Sequence, residues 1–238
     1  SNYNLLFTGS SGYGKTYLCS VICNYINIED TTQTTFEDDF DSENFNEYLK
    51  YRIQFIDEVH RFDQEFLYSH LSSRKNIFIF ATNYLDKLLE PFVNRCIHFK
   101  MDEYKLFEII KIMKPIFAHN GVPIEFDFIE YLAKSSRGNP RIAKQLAEKI
   151  SLYIKQNGKI VTIGSFSDIL RSVYGILPGG FTQDDIRYLE FLKKNNKSSL
   201  GLISNTLNIS PETITKFIEP FLVLNDLIQI TSRGRILK

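Results

Sequence analysis

Short apolar runs punctuate residues 1 to about 100: Leu5-Leu6-Phe7, Ile53-Gln54-Phe55-Ile56, Ile77-Phe78-Ile79-Phe80 and Cys96-Ile97-His98-Phe99. They are rich in β-branched and aromatic residues, and stretches of helical pattern separate them. Together they predict an α/β domain over residues 1–101, a parallel sheet covered by helices. From Asp102 to about Tyr174 the hydrophobic period becomes helical. Leu106, Ile109, Ile110 and Met113 form one face, Phe128, Tyr131 and Leu132 another, and Ile142, Leu146, Ile150 and Ile154 continue the pattern. Four short helices are expected in this second domain, residues 102–176, followed by a Gly-rich linker at Gly175-Ile176-Leu177-Pro178-Gly179-Gly180.

The remaining stretch, 177–238, has its own signals. Thr182 can cap a helix running to about Asn195, with Asp184 and Asp185 in its first turn. A second helix is expected from Leu200 to Leu207. Ser210-Pro211 pairs an N-cap with proline at the first helical position, opening a third. Leu227 to Ile230, Ser232-Arg233-Gly234-Arg235 and Ile236-Leu237 then read as strand, turn and strand. Three helices and a terminal hairpin describe a winged helix-turn-helix.

Composition adds constraints rather than an identity. The 28 Lys+Arg balance 28 Asp+Glu, so net charge predicts no affinity for nucleic acid, and any such surface must come from local clustering. Twenty Phe and 13 Tyr fill the core without a tryptophan. Three cysteines without paired spacing fit a reducing compartment, and Cys19 and Cys23 read as buried packing residues. No run is apolar enough to cross a membrane and no signal peptide is visible, so the chain reads as cytoplasmic. The acidic piece Phe36-Glu37-Asp38-Asp39-Phe40-Asp41 reads as a solvated loop.

The chemistry begins at Gly9-Ser10-Ser11-Gly12-Tyr13-Gly14-Lys15-Thr16, which matches G-x-x-x-x-G-K-[ST] between an expected strand and an expected helix that starts near Tyr17. Glycines let backbone N–H groups turn toward phosphate oxygens, and the helix N-terminus adds positive potential. Lys15 would reach the outer phosphates of ATP or ADP, and the Thr16 hydroxyl would hold Mg²⁺. The strand Ile53–Ile56 ends in Asp57-Glu58, read as the metal partner and the general base. The strand Ile77–Phe80 leads through Ala81-Thr82 to Asn83, which can orient the lytic water or cap the next turn. Its place at a strand end favours the first role. Arg95 and Arg141 carry no reading of their own, since a lone arginine is usually a solvated surface residue.

Taken in order, these residues resemble the AAA+ superfamily and, within it, the RuvB-type Holliday-junction branch-migration ATPases. Phe55-Ile56-Asp57-Glu58-Val59-His60-Arg61 looks like the RuvB Walker B segment. Ser136-Arg137-Gly138-Asn139-Pro140-Arg141-Ile142-Ala143 looks like its sensor 2 segment. Pro91-Phe92-Val93-Asn94-Arg95 aligns with the arginine-finger segment, and Ile218-Glu219-Pro220-Phe221-Leu222 with Thr231-Ser232-Arg233-Gly234-Arg235 resembles the winged-helix ending. The resemblance implies that Arg141 contacts the γ-phosphate, with Pro140 beside the nucleotide, and that Arg95 completes a neighbouring subunit's site. It further implies a hexameric ring acting on four-way or duplex DNA. Arg233, Arg235 and Lys216, with Lys238, could supply a basic patch for phosphate contacts, while Glu212 and Glu219 on the recognition helix count against base readout.

Two departures accompany the likeness. RuvB proteins carry a segment ahead of the phosphate loop that helps enclose adenine, whereas here the chain begins almost at the first strand, leaving Pro140, Ile142 and Met101 as weak substitutes. RuvB also inserts a RuvA-docking hairpin where this chain has only Phe62 to Lys75, enough for a helix and turn, so RuvA coupling of the usual form is not expected. Asn94-Arg95-Cys96 resembles the Ser-Arg-Cys motif of clamp loaders, which makes a clamp-loader or helicase-loader ATPase the alternative. A nucleotide-gated DNA-binding scaffold with little turnover is a third possibility.

Overall fold

A computed structural model gives the architecture and describes residues 4–26, 31–34, 49–50, 52–71, 75–158 and 163–238. The chain divides into two units, Ser1–Tyr104 with Asn139–Ile142, and Lys105–Gly138 with Ala143–Lys238. The expected acidic loop at 36–41 lies outside the described residues.

The first unit is built on five strands: β1 (Asn4–Thr8), β2 (Thr31–Thr34), β3 (Ile53–Ile56), β4 (Ile77–Thr82) and β5 (Cys96–Lys100), ordered β2-β3-β4-β1-β5. All pairings are parallel. Successive side chains on a strand point to opposite faces, and this chain buries both. Leu6, Ile56, Phe78 and Phe80 join one apolar cluster with Val59, Leu67 and Phe92. Phe7, Phe55, Ile79 and Ala81 join another with Cys19 and Cys23. A sheet buried on both faces needs near-continuous apolar strands rather than alternating ones, which is what β1, β3 and β4 provide. Each of the Leu, Ile, Val and Phe side chains among these contributes about 1.5–3 kcal/mol by leaving water.

Helix α1 (Lys15–Ile26) follows β1 across the loop 9–14. Helix α2 (Gln64–His70) stands between β3 and β4, where a helix and turn were expected; Asp63 caps it by accepting from the Glu65 and Phe66 N–H groups. A short helix α3 (Glu90–Val93) precedes β5. Strand β2 was not anticipated, because Thr31-Thr32-Gln33-Thr34 carries no apolar signal; among the described residues its partner is β3.

The second unit begins with helices α4 (Leu106–His119) and α5 (Phe126–Ser135), continues with the body of α6 (Pro140–Asn157), and then α7 (Ile163–Tyr174). Ile109, Ile110 and Met113 are buried as the period requires, while Leu106 in the first turn stays exposed. The stretch read as a linker is ordered. Ile176–Leu177 (β6) pairs antiparallel with Phe181–Thr182 (β7) across Pro178–Gly180. Gly180 is buried with φ +83°, and a Cβ there would come within 3.0 Å of the Lys134 carbonyl oxygen.

The last segment is a winged helix: α8 (Gln183–Asn195), α9 (Leu200–Leu207), α10 over 211–224, and the strands β8 (Lys197–Ser198), β9 (Ile228–Thr231) and β10 (Gly234–Leu237). Tyr188, Leu192, Ile203, Ile214, Ile218 and Leu222 form its core. The middle of α10, Ile214–Ile218, is a π turn, with the Glu219 N–H reaching back five residues to the Ile214 carbonyl. Pro220 explains the change of register: it has no N–H to donate, and its ring would clash with the carbonyl four residues earlier. Glu219 consequently faces inward, 3 % exposed, and accepts from Tyr188 Oη (2.9 Å) and Arg235 Nε (2.7 Å). No helix among the described residues is long and apolar enough to cross a membrane.

Arg137 ties the helices to the winged segment within this unit. Its backbone is left-handed (φ 54°), and its guanidinium donates to Gly180 O at 2.9 and 2.8 Å and to Phe217 O at 3.2 Å, lies 3.8 Å over the Phe221 ring, and pairs with Asp185. Asp185 is fully buried and also accepts from the Thr182 N–H and hydroxyl. Arg137→Ala would strand that carboxylate without its counter-charge, at a cost of about 3–5 kcal/mol. Urea unfolding of the variant should show a loss of that size; a change under about 1 kcal/mol would mean that the ion pair does not hold these elements together.

Candidate nucleotide-binding site

Parallel register decides where the chemistry sits. Thr8 on β1 pairs with Thr82 on β4, and Ile56 on β3 pairs with Phe80. The segments leaving these three strands, Gly9 onward, Asp57-Glu58 and Asn83, therefore emerge at one edge of the sheet. In open α/β sheets ligands bind outside such carboxyl ends.

The loop from Gly9 to Gly14 depends on its glycines. Gly9 has φ +146°, and a Cβ there would lie 2.6 Å from Met101 O; at Gly12, φ +85°, it would lie 2.5 Å from Asn139 Oδ1. Tyr13 is buried, and burial together with Glu103 pushes its phenol pKa up. Tyr17, by contrast, is 76 % exposed. Lys15 is only 6 % exposed. Its ammonium donates to Gly9 O (2.8 Å), Ser10 O (2.9 Å) and Asn83 Oδ1 (2.5 Å). Burial lowers its pKa, and the negative charges of Glu58 and Asp57 oppose that shift.

The two carboxylates divide their contacts. Thr16 Oγ1 donates to Asp57 Oδ2 at 2.6 Å, and the Glu58 N–H donates to Asp57 Oδ1 at 2.8 Å. Asn83 Nδ2 donates to Glu58 Oε1 at 3.0 Å. A hydroxyl beside a carboxylate is an all-oxygen donor pair of the kind a small hard divalent cation takes, with water completing its shell. His60, reached from the sequence only as part of a family segment, also lies against Glu58; burial lowers its pKa, with Glu58 opposing.

The four residues Asn139–Ile142 belong with this unit. Asn139 Nδ2 donates to Ser11 O at 2.9 Å, while its Oδ1 accepts the Arg141 and Ile142 N–H groups at the start of α6. Arg141 Nη1 donates to Ser11 Oγ at 3.2 Å, and Pro140 is half-buried between these residues. Asn139 was missed as a loop contact, although Asn-Pro at a helix start signals a cap.

Arg95 is exposed; the described partners of its guanidinium are Pro91 O (3.1 Å) and the Tyr68 ring, 3.8 Å away. Among the expected DNA contacts, Arg233 is exposed and Lys216 pairs with Glu212 on the surface. Arg235 needs correction: its guanidinium is bound to buried Glu219, so it braces the wing. Glu219, in turn, presents no charge that could oppose readout by α10.

Comparison with known proteins agrees with this geometry. Residues 178–238 match the profile of the RuvB C-terminal winged helix domain. Residues 5–102 match that of the ATPase family associated with various cellular activities (AAA). The Holliday junction branch migration complex subunit RuvB of Aliarcobacter butzleri is 30% identical, the alignment covering 98% of this chain and 76% of that protein. The chain belongs to the RuvB family. Its Campylobacter hominis relative is 28% identical over 98% of this chain and 77% of its own length. The structure of the Thermotoga maritima RuvB Holliday junction branch migration motor superposes with a TM-score of 0.83 at 25% identity, over 99% of this chain and 84% of that one. Residues 5–102 are thus an AAA ATPase domain.

Removing the Lys15 ammonium deletes a charge-assisted contact worth about 1.5–3 kcal/mol. Lys15→Ala should therefore weaken ADP binding by roughly ten- to a hundred-fold in a fluorescent-nucleotide titration. Unchanged affinity would show that phosphate does not sit at this loop.

Proposed function

We infer that this chain is an ATP-driven motor that moves the branch point of four-way DNA junctions, as the name of its RuvB relatives describes. The observation that carries the reading is the line Lys15–Asn83–Glu58 beside Thr16–Asp57, on one chain with a RuvB-type winged helix. The loop N–H groups and Lys15 hold the phosphates of ATP. Thr16 and Asp57 would hold Mg²⁺, which when bound neutralises phosphate charge. Asn83 orients the attacking water and Glu58 takes its proton, so that the bond between the γ-phosphorus and the bridging oxygen breaks to leave ADP and phosphate. Arg141, already at the loop through Ser11, senses the γ-phosphate.

Arg95 acts on the neighbouring subunit's site in a ring of identical chains, which we take to be hexameric. Its exposure and its lack of any described bond to its own loop support a role in trans. Arg233 and Lys216 supply phosphate contacts to DNA in this reading. With helix α2 where a RuvA-docking hairpin would stand, coupling to RuvA in the usual form is not expected, and the motor is recruited to junctions differently. The winged-helix match favours a motor over a clamp-loader type ATPase, which the Asn94-Arg95-Cys96 likeness alone suggested.

ATPase rates measured side by side with a synthetic four-way junction, duplex and single strands test this function. The junction should stimulate hydrolysis most, and ATP should drive its migration. Glu58→Gln should keep nucleotide binding while lowering turnover by about 10²-fold or more. Equal rates with and without every DNA would overturn the motor reading. Mixing Arg95→Ala with Glu58→Gln chains, each inactive alone, should restore part of the rate through sites that draw Glu58 and Arg95 from different chains; mixtures as inactive as their components would exclude action in trans.

A further inference from the structure

We propose that His60 is a positioning residue for Glu58, holding the carboxylate of the general base from the side opposite Asn83. The inference rests on the hydrolytic reading of Glu58 given above. Glu58 occupies a left-handed backbone conformation (φ 51°, ψ 40°) at the head of the turn Val59–Arg61. A residue other than glycine is held there only under backbone strain. The turn offsets that strain with fixed bonds, Arg61 N–H to Glu58 O at 2.9 Å and Glu58 N–H to Asp57 Oδ1 at 2.8 Å. The backbone thus aims the side chain at the strand end, but one contact to Asn83 leaves the carboxylate free to swing about it.

His60 removes that freedom. Its Nδ1 lies 3.3 Å from Glu58 Oε2, within ion-pair range, while Asn83 Nδ2 donates to Oε1 at 3.0 Å, so each oxygen faces its own nitrogen. The His60 side chain is 6 % exposed; its ring lies 4.6 Å from that of Tyr84, and Nδ1 is 2.9 Å from Thr82 Oγ1. Thr82 Oγ1 also accepts the Tyr84 N–H at 3.0 Å, which fixes the hydroxyl. In a neutral ring only the tautomer with the proton on Nδ1 attracts the carboxylate; a bare nitrogen would repel it.

The division of labour follows from what each partner faces. Lys15 donates to Asn83 Oδ1, so Lys15 and Asn83 both meet the outer phosphates in the proposed mechanism. Among the described residues His60 is the partner of Glu58 with no bond to the phosphate loop or to Lys15. When nucleotide draws on Asn83, His60 is what keeps Glu58 in place.

Four variants test this in the full chain, with ATP hydrolysis, ADP affinity and thermal unfolding measured on each. His60→Phe keeps an aromatic ring against Tyr84 without a donor; kcat should fall about tenfold or more with ADP affinity unchanged. His60→Asn puts its amide nitrogen near the place of Nδ1 and should recover most of the rate, whereas His60→Gln, which reaches toward the place of Nε2, should not. Adding His60→Phe to Glu58→Gln should cost nothing further. Wild-type turnover in His60→Phe, an Asn variant as slow as Phe, or rate losses that track losses in Tm would each overturn the inference. Full turnover in Glu58→Gln alone would sink the general-base reading and this inference with it. Loss there with normal rates in every His60 variant would sink only the positioning role.

Discussion

The parallel register of β1, β3 and β4 is the constraint on which the chemistry depends. With Thr8 opposite Thr82 and Ile56 opposite Phe80, a phosphate loop, a carboxylate pair and an amide leave the sheet at one edge. A slip of one residue in β3 would turn its side chains to the other face and carry Asp57 away from Thr16. The register is held by burial on both faces: Ile56 and Phe80 share one apolar cluster, Phe55 and Ile79 the other, so either direction of slip exchanges matched surfaces. Catalytic geometry here is a by-product of core packing.

That dependence explains how much was legible in the sequence. Strands buried on two faces announce themselves as apolar runs, and the residues that follow such runs are those that reach a ligand, so Lys15, Thr16, Asp57, Glu58 and Asn83 could be found together. Two helix caps were equally plain, since Thr182 and Ser210 each accept a backbone N–H in the first turn of a helix. What escaped carries no local signature. Strand β2 is entirely polar and owes its existence to pairing with β3. The stretch Gly175–Gly180 has the composition of a linker, but its glycines serve a tight packed turn, as the close approach of Gly180 to Lys134 shows. Asn139 and His60 matter through contacts with residues distant in sequence, Ser11 and Thr82, that no period or motif reveals.

The charged residues of the winged segment teach a related lesson. Arg233 and Arg235 are equivalent in sequence, two arginines flanking a glycine, yet only one remains exposed. The difference originates fifteen residues upstream of Arg235, at Pro220, whose missing N–H forces the π turn that rotates Glu219 inward. Once Glu219 is buried it requires a counter-charge, and Arg235 supplies it beside Tyr188, whose phenol pKa is raised by burial and by that carboxylate. Burial of this ion pair is weak evidence for stability, because desolvation offsets most of its attraction. Its effect is to fix the orientation of β10 against α10, and so the angle at which the wing is presented.

In the proposed mechanism the Lys15 ammonium is prepared for a triphosphate before one arrives. It is buried, and its three donors are taken by two loop carbonyls and the Asn83 amide oxygen. Desolvation of the cation is therefore already met within the fold, and Asp57 and Glu58 help keep it protonated. A phosphate oxygen entering the loop exchanges one acceptor for another rather than stripping water, and it is the stronger acceptor because it is charged. Lys15, Asn83 and Glu58 are linked in series, so that exchange changes the demand on Asn83 and hence on Glu58. In the proposed mechanism, occupancy of the loop and the state of Glu58 are coupled through a single amide, which is why the far end of that series would need an anchor the phosphate does not touch.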